Sequence, residues 1–239
     1  MKTPRLHSTA GNAGLRGFTR VELCACLAAG ALLMALALPA LATSQSRGHV
    51  AQCLNNLRLM GRAVHVWAGD YENQPPWRTL QQDGGLMPAA GTRPGNVWFD
   101  LVVMSNALVT PRILACPADS GVLVTGDFLQ FSSPPFRNNA TSYLLNLESL
   151  VEYPQGVLFG DRNMQLIAGA TTCSALVNNS RRFDRFSGAN QGWTNAIHGL
   201  SGNLVVMDGS VSETSSAQLR AAMIKSQDDN GSAHLLRPR

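Results

Sequence analysis

Hydrophobic and polar positions change rhythm several times along this 239-residue chain. Residues 23–42 are apolar all round, about 20 residues without a charged side chain. At the rise of an α-helix this run is roughly 30 Å long, the thickness of a bilayer's hydrocarbon core. From 49 to 67 the pattern becomes helical and one-sided. Val50, Cys53, Leu54, Leu57, Met60, Gly61, Val64 and Trp67 recur at i, i+3, i+4, i+7 spacing, and Asn55, Asn56, Arg58, Arg62 and His65 take the other face. No proline falls between Ala40 and Gln74. The pattern therefore predicts one helix from about Thr19 to about Asp70, roughly 75 Å long. It is hydrophobic all round in its first half and amphipathic in its second.

Beyond Asp70 the rhythm shortens. Residues 71–96, rich in Pro, Gly, Gln and Asn, read as a loop. Residues 96–108 are apolar and fit either a helix or a strand. Residues 121–131 read as strand, Ser132-Ser133-Pro134-Pro135 as a turn, and 141–147 and 156–159 as short strands, the latter ending at Gly160-Asp161-Arg162. Residues 178–193 are polar and irregular and are expected to cover a sheet. The clearest local signal is 203–213: Leu204-Val205-Val206-Met207, then Asp208-Gly209, then Ser210-Val211-Ser212. This predicts a hairpin with a two-residue type I′ turn at Asp208 and Gly209. A short helix over 215–225 follows, with Ser216 near its start, and the polar tail 226–239 is expected to be disordered. No internal repeat is present. The fold class expected is α+β, a long N-terminal helix packed on a C-terminal antiparallel β-sheet head. Setting the first 17 to 42 residues aside leaves about 200, enough for one domain with a core.

Charge refines the picture at the N-terminus. Residues 1–17 carry Lys2, Arg5 and Arg16 and no acid, which favours a cytoplasmic N-terminus with the rest of the chain across the membrane. Glu22 stands at the edge of the apolar run, where an ionisable group is costly and points to a function. The net charge of +4 lies largely in the leader and the last residues, and no Lys/Arg patch is interleaved with aromatics. That excludes a nucleic-acid interface.

Gly17-Phe18-Thr19-Arg20-Val21-Glu22-Leu23, running straight into the apolar segment, resembles the class III signal of type IV pilins and type II secretion pseudopilins. The resemblance implies a cut by prepilin peptidase between Gly17 and Phe18 and N-methylation of Phe18. It also implies subunit docking through Glu22, whose carboxylate pairs with the free α-amino group of a neighbouring subunit. Two opposite charges that are each costly in lipid then compensate one another. Pro39 falls where many pilins carry a helix-kinking proline; it removes a backbone donor and bends the helix. Gly30 and the alanines of the span allow close helix packing. Arg20 departs from the pattern, which is usually apolar there; near a helix end it can snorkel to the headgroups.

Three further patches resemble a pseudopilin-like group abundant in planctomycetes, verrucomicrobia and relatives: Cys53-Leu54-Asn55-Asn56-Leu57-Arg58-Leu59-Met60-Gly61-Arg62-Ala63, Leu114-Ala115-Cys116-Pro117-Ala118-Asp119, and His198-Gly199 through Asp208-Gly209-Ser210-Val211. This resemblance implies a Cys53–Cys116 disulfide, leaving Cys173 free and buried, and a pilin-like head. The expected organisation is a leader at 1–17, a transmembrane half-helix at 18–42, an amphipathic half at 43–70, a globular head at 71–225 and the tail at 226–239. The expected role is that of a filament subunit, processed by the peptidase and acting by polymerisation rather than catalysis. Its implied partners are other pilin or pseudopilin subunits and an inner-membrane assembly platform.

Other readings stay open. Residues 1–20 and 23–38, followed by Ala40-Leu41-Ala42, also fit a secretory signal peptide that would release a soluble binding module starting at Thr43. A lipoprotein reading through Leu23-Cys24-Ala25-Cys26 has too little apolar sequence ahead of it. Cys24 and Cys26 read as small apolar fillers of the span. A zinc site is disfavoured, with no C-x-x-C and no His at ligand spacing from the cysteines, so neither metal nor cofactor is expected. Asp119, Asp127 and Asp161 lack calcium-loop spacing. His198 and Asp208 are the nearest approach to a hydrolytic pair, but G-x-S-x-G is absent around Ser187 and Ser201. Trp67, Trp77, Trp98 and Trp193 could bind carbohydrate, although packing is the commoner use. Asn139-Ala140-Thr141 and Asn178-Asn179-Ser180 match glycosylation sequons.

Overall fold

The computed structural model describes residues 17–87, 96–170, 183–186, 188, 190–226 and 233–238. Lys2, Arg5, Arg16, Cys173, Asn178 and Ser187 lie outside these. The chain divides into two compact units, residues 1–45 and 46–239.

Helix α1 runs from Arg20 to Asp70 with Pro39 inside it. Thr19 caps its first turn: the Thr19 N–H and hydroxyl both donate to Glu22 Oε2 (2.8 and 2.9 Å), and the Glu22 N–H donates to Thr19 Oγ1 at 3.3 Å. This is the reciprocal T-x-x-E capping box. Pro39 has no N–H to give, and the Thr43 hydroxyl donates to the Pro39 carbonyl one turn on.

The second half of α1 carries the apolar stripe expected of it. Cys53, Leu57, Met60, Ala63 and Val64 are buried. Asn56 departs from the expected polar face: it is buried and donates from Nδ2 to the Ala115 carbonyl (3.1 Å) and the Tyr143 hydroxyl (3.4 Å). A buried amide is tolerated where its donors find partners. Gly61 lets the helix approach the sheet, since a Cβ there would stand 3.1 Å from Val205 Cγ2.

The ambiguous stretch after the loop is helical: α2 (Val97–Val103) and α3 (Ser105–Leu108). The strand expected over 121–131 is absent. Residues 122–125 are irregular and α4 (Phe128–Ser132) follows, capped by Asp127, whose Oδ1 accepts from the Gln130 N–H at 2.7 Å. The local Asp cap outcompetes β-propensity here.

The head is built on β1 (Tyr143–Asn146), β2 (Val157–Asp161), β3 (Ile167–Ala170), β4 (Phe183–Phe186), β5 (Ser201–Val206), β6 (Val211–Ser215) and β7 (Ala233–Leu236). They form one sheet in the order β3-β4-β7-β1-β2-β5-β6, antiparallel throughout. Both faces are covered. Tyr143, Leu145, Phe159, Val205 and Leu236 face a core shared with α1 and α2. Leu144, Val157, Leu204 and Leu235 face a second core with Trp193 and with Leu219 and Met223 of α5 (Ser216–Ile224). Double burial explains why these strands read as continuous apolar runs rather than alternating ones.

Three expectations about the head need correction. Within 178–193, read as irregular cover for the sheet, Phe183–Phe186 is β4, paired with β3 and β7 inside the sheet. Part of the tail assigned to disorder is β7, fully buried and paired with both β1 and β4 in the middle of the sheet. Its neighbour Arg237 is tied to Asp184 by Nε at 2.7 Å and by a second ion-pair contact at 2.5 Å. The polar flanks concealed a four-residue strand too short to show periodicity. The hairpin β5–β6 is present, but its turn is not type I′: Gly209 has φ 85° and Asp208 is not left-handed. The Gly209 N–H donates to the Val206 carbonyl and the Val206 N–H to the Ser210 carbonyl. This is a three-residue connection, a type I turn followed by a left-handed glycine. Asp208 stabilises it by accepting from the Ser210 N–H at 2.8 Å, and hydrogen bonds from the Ser210 side chain and backbone hold its carboxyl below the usual range.

Candidate functional sites: the N-terminal segment and the disulfide cluster

Two places concentrate unusual chemistry, and they are built in opposite ways. The first is the start of α1. Gly17 and Phe18 precede the helix in exposed chain without regular structure, and the Glu22 carboxylate is held by Thr19. Behind it the large apolar side chains from Leu23 to Leu41 are more than half exposed. This is the one helix among the described residues long and apolar enough to cross a membrane. Cys24 and Cys26 are exposed free thiols on the same stretch.

The second place is buried. Cys53 of α1 is bonded to Cys116, which follows a 3-10 turn at Pro111–Leu114; their Cα atoms are 5.2 Å apart. The bond ties the helix to the connection that leads into β1. Cys116 N–H also donates to Ser142 Oγ at 3.0 Å. His198, in the loop before β5, brings Nε2 to 3.3 Å from Cys116 Sγ and 3.5 Å from Asp161 Oδ2. Asp161 ends β2, is fully buried, and accepts at Oδ2 from the N–H (2.7 Å) and Nδ2 (3.0 Å) of Asn203 on the adjacent strand. Burial nonetheless pushes the Asp161 carboxyl up to about 7, against the pull of the Asn203 hydrogen bonds. Burial pushes the His198 imidazole down and, with the nearby Asp161 charge, the Tyr143 phenol up.

Asp119 binds Arg162 through both oxygens, at 2.7 and 2.8 Å. A cleft of about 480 Å³ beside this pair is lined by Asp119, Arg162, Asn163, Ile197 and Arg237, but both arginines are already engaged with acids. The sulfur and the carboxylate share one nitrogen of His198, so the three groups do not form a nucleophile–base–acid relay, which needs the acid on the other nitrogen.

The structure separates several residues considered from sequence. His198 and Asp208 flank opposite ends of β5, so they do not pair. Of the three candidate calcium aspartates, Asp127 caps α4, Asp119 pairs with Arg162, and Asp161 lies in the buried cluster with His198. The tryptophans serve packing. Trp67 stacks on Tyr71, Trp77 meets Phe159 edge-on, Arg137 lies over Trp98, and Trp193 is buried with Nε1 donating to Thr214. His198 beside the disulfide was not legible, because 82 residues separate it from Cys116. No protein-family model, curated protein or solved structure matches this chain.

Proposed function

We propose that this protein is a structural subunit of a type IV pilus-like or type II secretion pseudopilus filament, a prepilin-like chain cut between Gly17 and Phe18. The observation that carries the reading is the change of character within α1. Its first part is uniformly exposed and apolar behind Gly17, Phe18 and Glu22, and its second part is sealed onto a sheet with a disulfide. A large continuous apolar surface on a soluble fold needs a lipid or protein partner. In this reading residues 23–42 sit first in the inner membrane, N-terminus cytoplasmic and head periplasmic, and then in the filament core. Phe18 supplies the amino group and Glu22 the carboxylate for docking. The protein is the peptidase's substrate and acts by polymerising.

Intact mass and terminal sequencing of the mature protein from native membranes test the route. A chain beginning at Phe18, methylated there, is expected. A chain beginning at Thr43 would replace this reading with that of a soluble exported binding module. Assembly is tested separately: Glu22→Ala should still be exported but lose crosslinked oligomers, and unaltered oligomers would remove the docking role.

A further inference from the structure

The disulfide cluster holds more donor chemistry than a structural crosslink uses. Cys53 Sγ, Cys116 Sγ and His198 Nε2 lie within 4.8 Å of one another. They come from α1, from the connection into β1 and from the loop before β5, so the tertiary fold itself brings them together. The two cysteines are at most 1% exposed and the His198 side chain 3%. The Asp161 carboxylate lies against the same imidazole nitrogen, and its other oxygen, Oδ1, is buried with no hydrogen-bond partner among the described residues. A hydrogen-bonded crosslink leaves that oxygen unexplained, whereas a fourth ligand or a cation nearby would satisfy it.

We propose that the reduced chain binds one Zn²⁺ through Cys53, Cys116 and His198, with Asp161 completing the shell, and that the disulfide is the oxidised, metal-free form of the same site. Two thiolates, an imidazole and a carboxylate form a donor set that tetrahedral zinc accepts. Opening the bond must move the sulfurs from bonding distance to about 3.8 Å, the separation set by two zinc–sulfur bonds of ~2.3 Å at a tetrahedral angle. Rotation of the two cysteine side chains can supply that movement. The interconversion balances with a dithiol as reductant. The protein disulfide, the dithiol and Zn²⁺ give the zinc dithiolate, the reagent's own disulfide and two protons; the dithiol supplies both electrons. Because the site is buried, the ion would load as the reduced chain folds, and its binding would count as folding free energy.

The test uses the full chain in detergent, carrying Cys24→Ala, Cys26→Ala and Cys173→Ala so that Cys53 and Cys116 are the remaining thiols. After reduction and removal of reductant without oxygen, Co²⁺ is titrated as the probe and then displaced with Zn²⁺. The expected result is one Co²⁺ per chain, with a thiolate-to-cobalt charge-transfer band and tetrahedral visible bands, all lost on adding Zn²⁺ and absent from the oxidised chain. His198→Ala should weaken cobalt at least ten-fold, and Cys53→Ser, which leaves only the Cys116 thiolate, should cut the charge-transfer band per chain at least two-fold. A reduced chain that stays folded by near-ultraviolet circular dichroism yet shows no band overturns the proposal. So does a His198→Ala variant that binds as tightly as its parent. If reduction unfolds the head, Zn²⁺ must restore the near-ultraviolet signal, and failure to restore it overturns the proposal equally.

Discussion

The two halves of α1 differ in where their side chains find partners. Residues 20–45 place apolar side chains on every side, and none of their large ones is buried. Residues 46–70 bury one stripe, Cys53 to Ala68, and leave Arg58, Arg62 and His65 exposed. The backbone is helical in both. Helix geometry is therefore indifferent to the medium, and the side-chain pattern decides whether the partner is the chain's own sheet or something outside it.

The comparison breaks hardest at the disulfide. Joining residues 63 apart in sequence removes chain entropy worth about 4 kcal/mol from the unfolded state. Cys53→Ser with Cys116→Ser should lower the head's denaturant stability by about that much and leave the helicity of residues 20–45 in detergent unchanged. Circular dichroism read against chemical denaturation separates the two. A loss shared by both halves would mean that the head's stability is transmitted along α1.

Next comes a matched pair of leucines. Leu57 is fully buried and Leu33 is 68% exposed on the same helix. Leu57→Ala should cost about 2–5 kcal/mol of head stability. Leu33→Ala should stay within about 0.5 kcal/mol in the same assay. Equal effects would show that the first half packs on the head in detergent.

Asp161 gives a smaller effect with a defined pH signature. Its carboxyl titrates near 7 in the fold against 3.8 unfolded. Between these values the native state holds the extra proton, so this group's contribution is largest below pH 4 and is lost as pH rises to 7. Asp161→Asn imitates the protonated form. It should raise stability at pH 8 by ~1–3 kcal/mol and by little at pH 4. His198, whose pKa is lowered by burial, contributes with the opposite sign: its stabilisation is full above the unfolded value near 6.5 and is lost as pH falls from there through the lower folded value. Because Asp161 and His198 are in contact, the comparison is made with His198→Ala in both proteins, so that the difference between their profiles reports on Asp161. A flat difference from pH 4 to 8 would mean that Asp161 stays ionised throughout.

Legibility from sequence follows the same division. The helix was readable end to end because its period persists for many turns, and the β5–β6 hairpin because Asp208-Gly209 sits between apolar runs. Ala233–Leu236 was hidden: a central strand takes its register from β1 and β4, and nothing local announces those partners. β3 and β4 were missed for the same reason. Asn56 was placed on the polar face by its chemistry, yet its amide is what lets a polar side chain bridge Ala115 and Tyr143 inside the core. The disulfide pair came from resemblance, not spacing. His198 joins that pair through a loop, and loop geometry leaves no periodic trace.

The last effect is the smallest in stability and the most telling about Glu22. The carboxylate that would meet a neighbouring subunit's amino group already accepts two hydrogen bonds from Thr19. A capping box satisfies helix donors and is sufficient by itself to explain an acid at this place. Thr19→Ala loses the hydroxyl half of the box and leaves the charge, at a cost of about 1 kcal/mol of local helix stability. Glu22→Gln keeps a side chain that can complete the box but removes the charge. If Glu22 docks subunits, Glu22→Gln should abolish crosslinked oligomers in membranes while Thr19→Ala retains them. If it is a cap and nothing more, Glu22→Gln should assemble like the parent, and any fraying of the first turn, read by amide exchange, should follow Thr19→Ala. The two outcomes are opposite in sign across the same pair of variants, so the carboxylate's two possible roles separate without a structure of the filament.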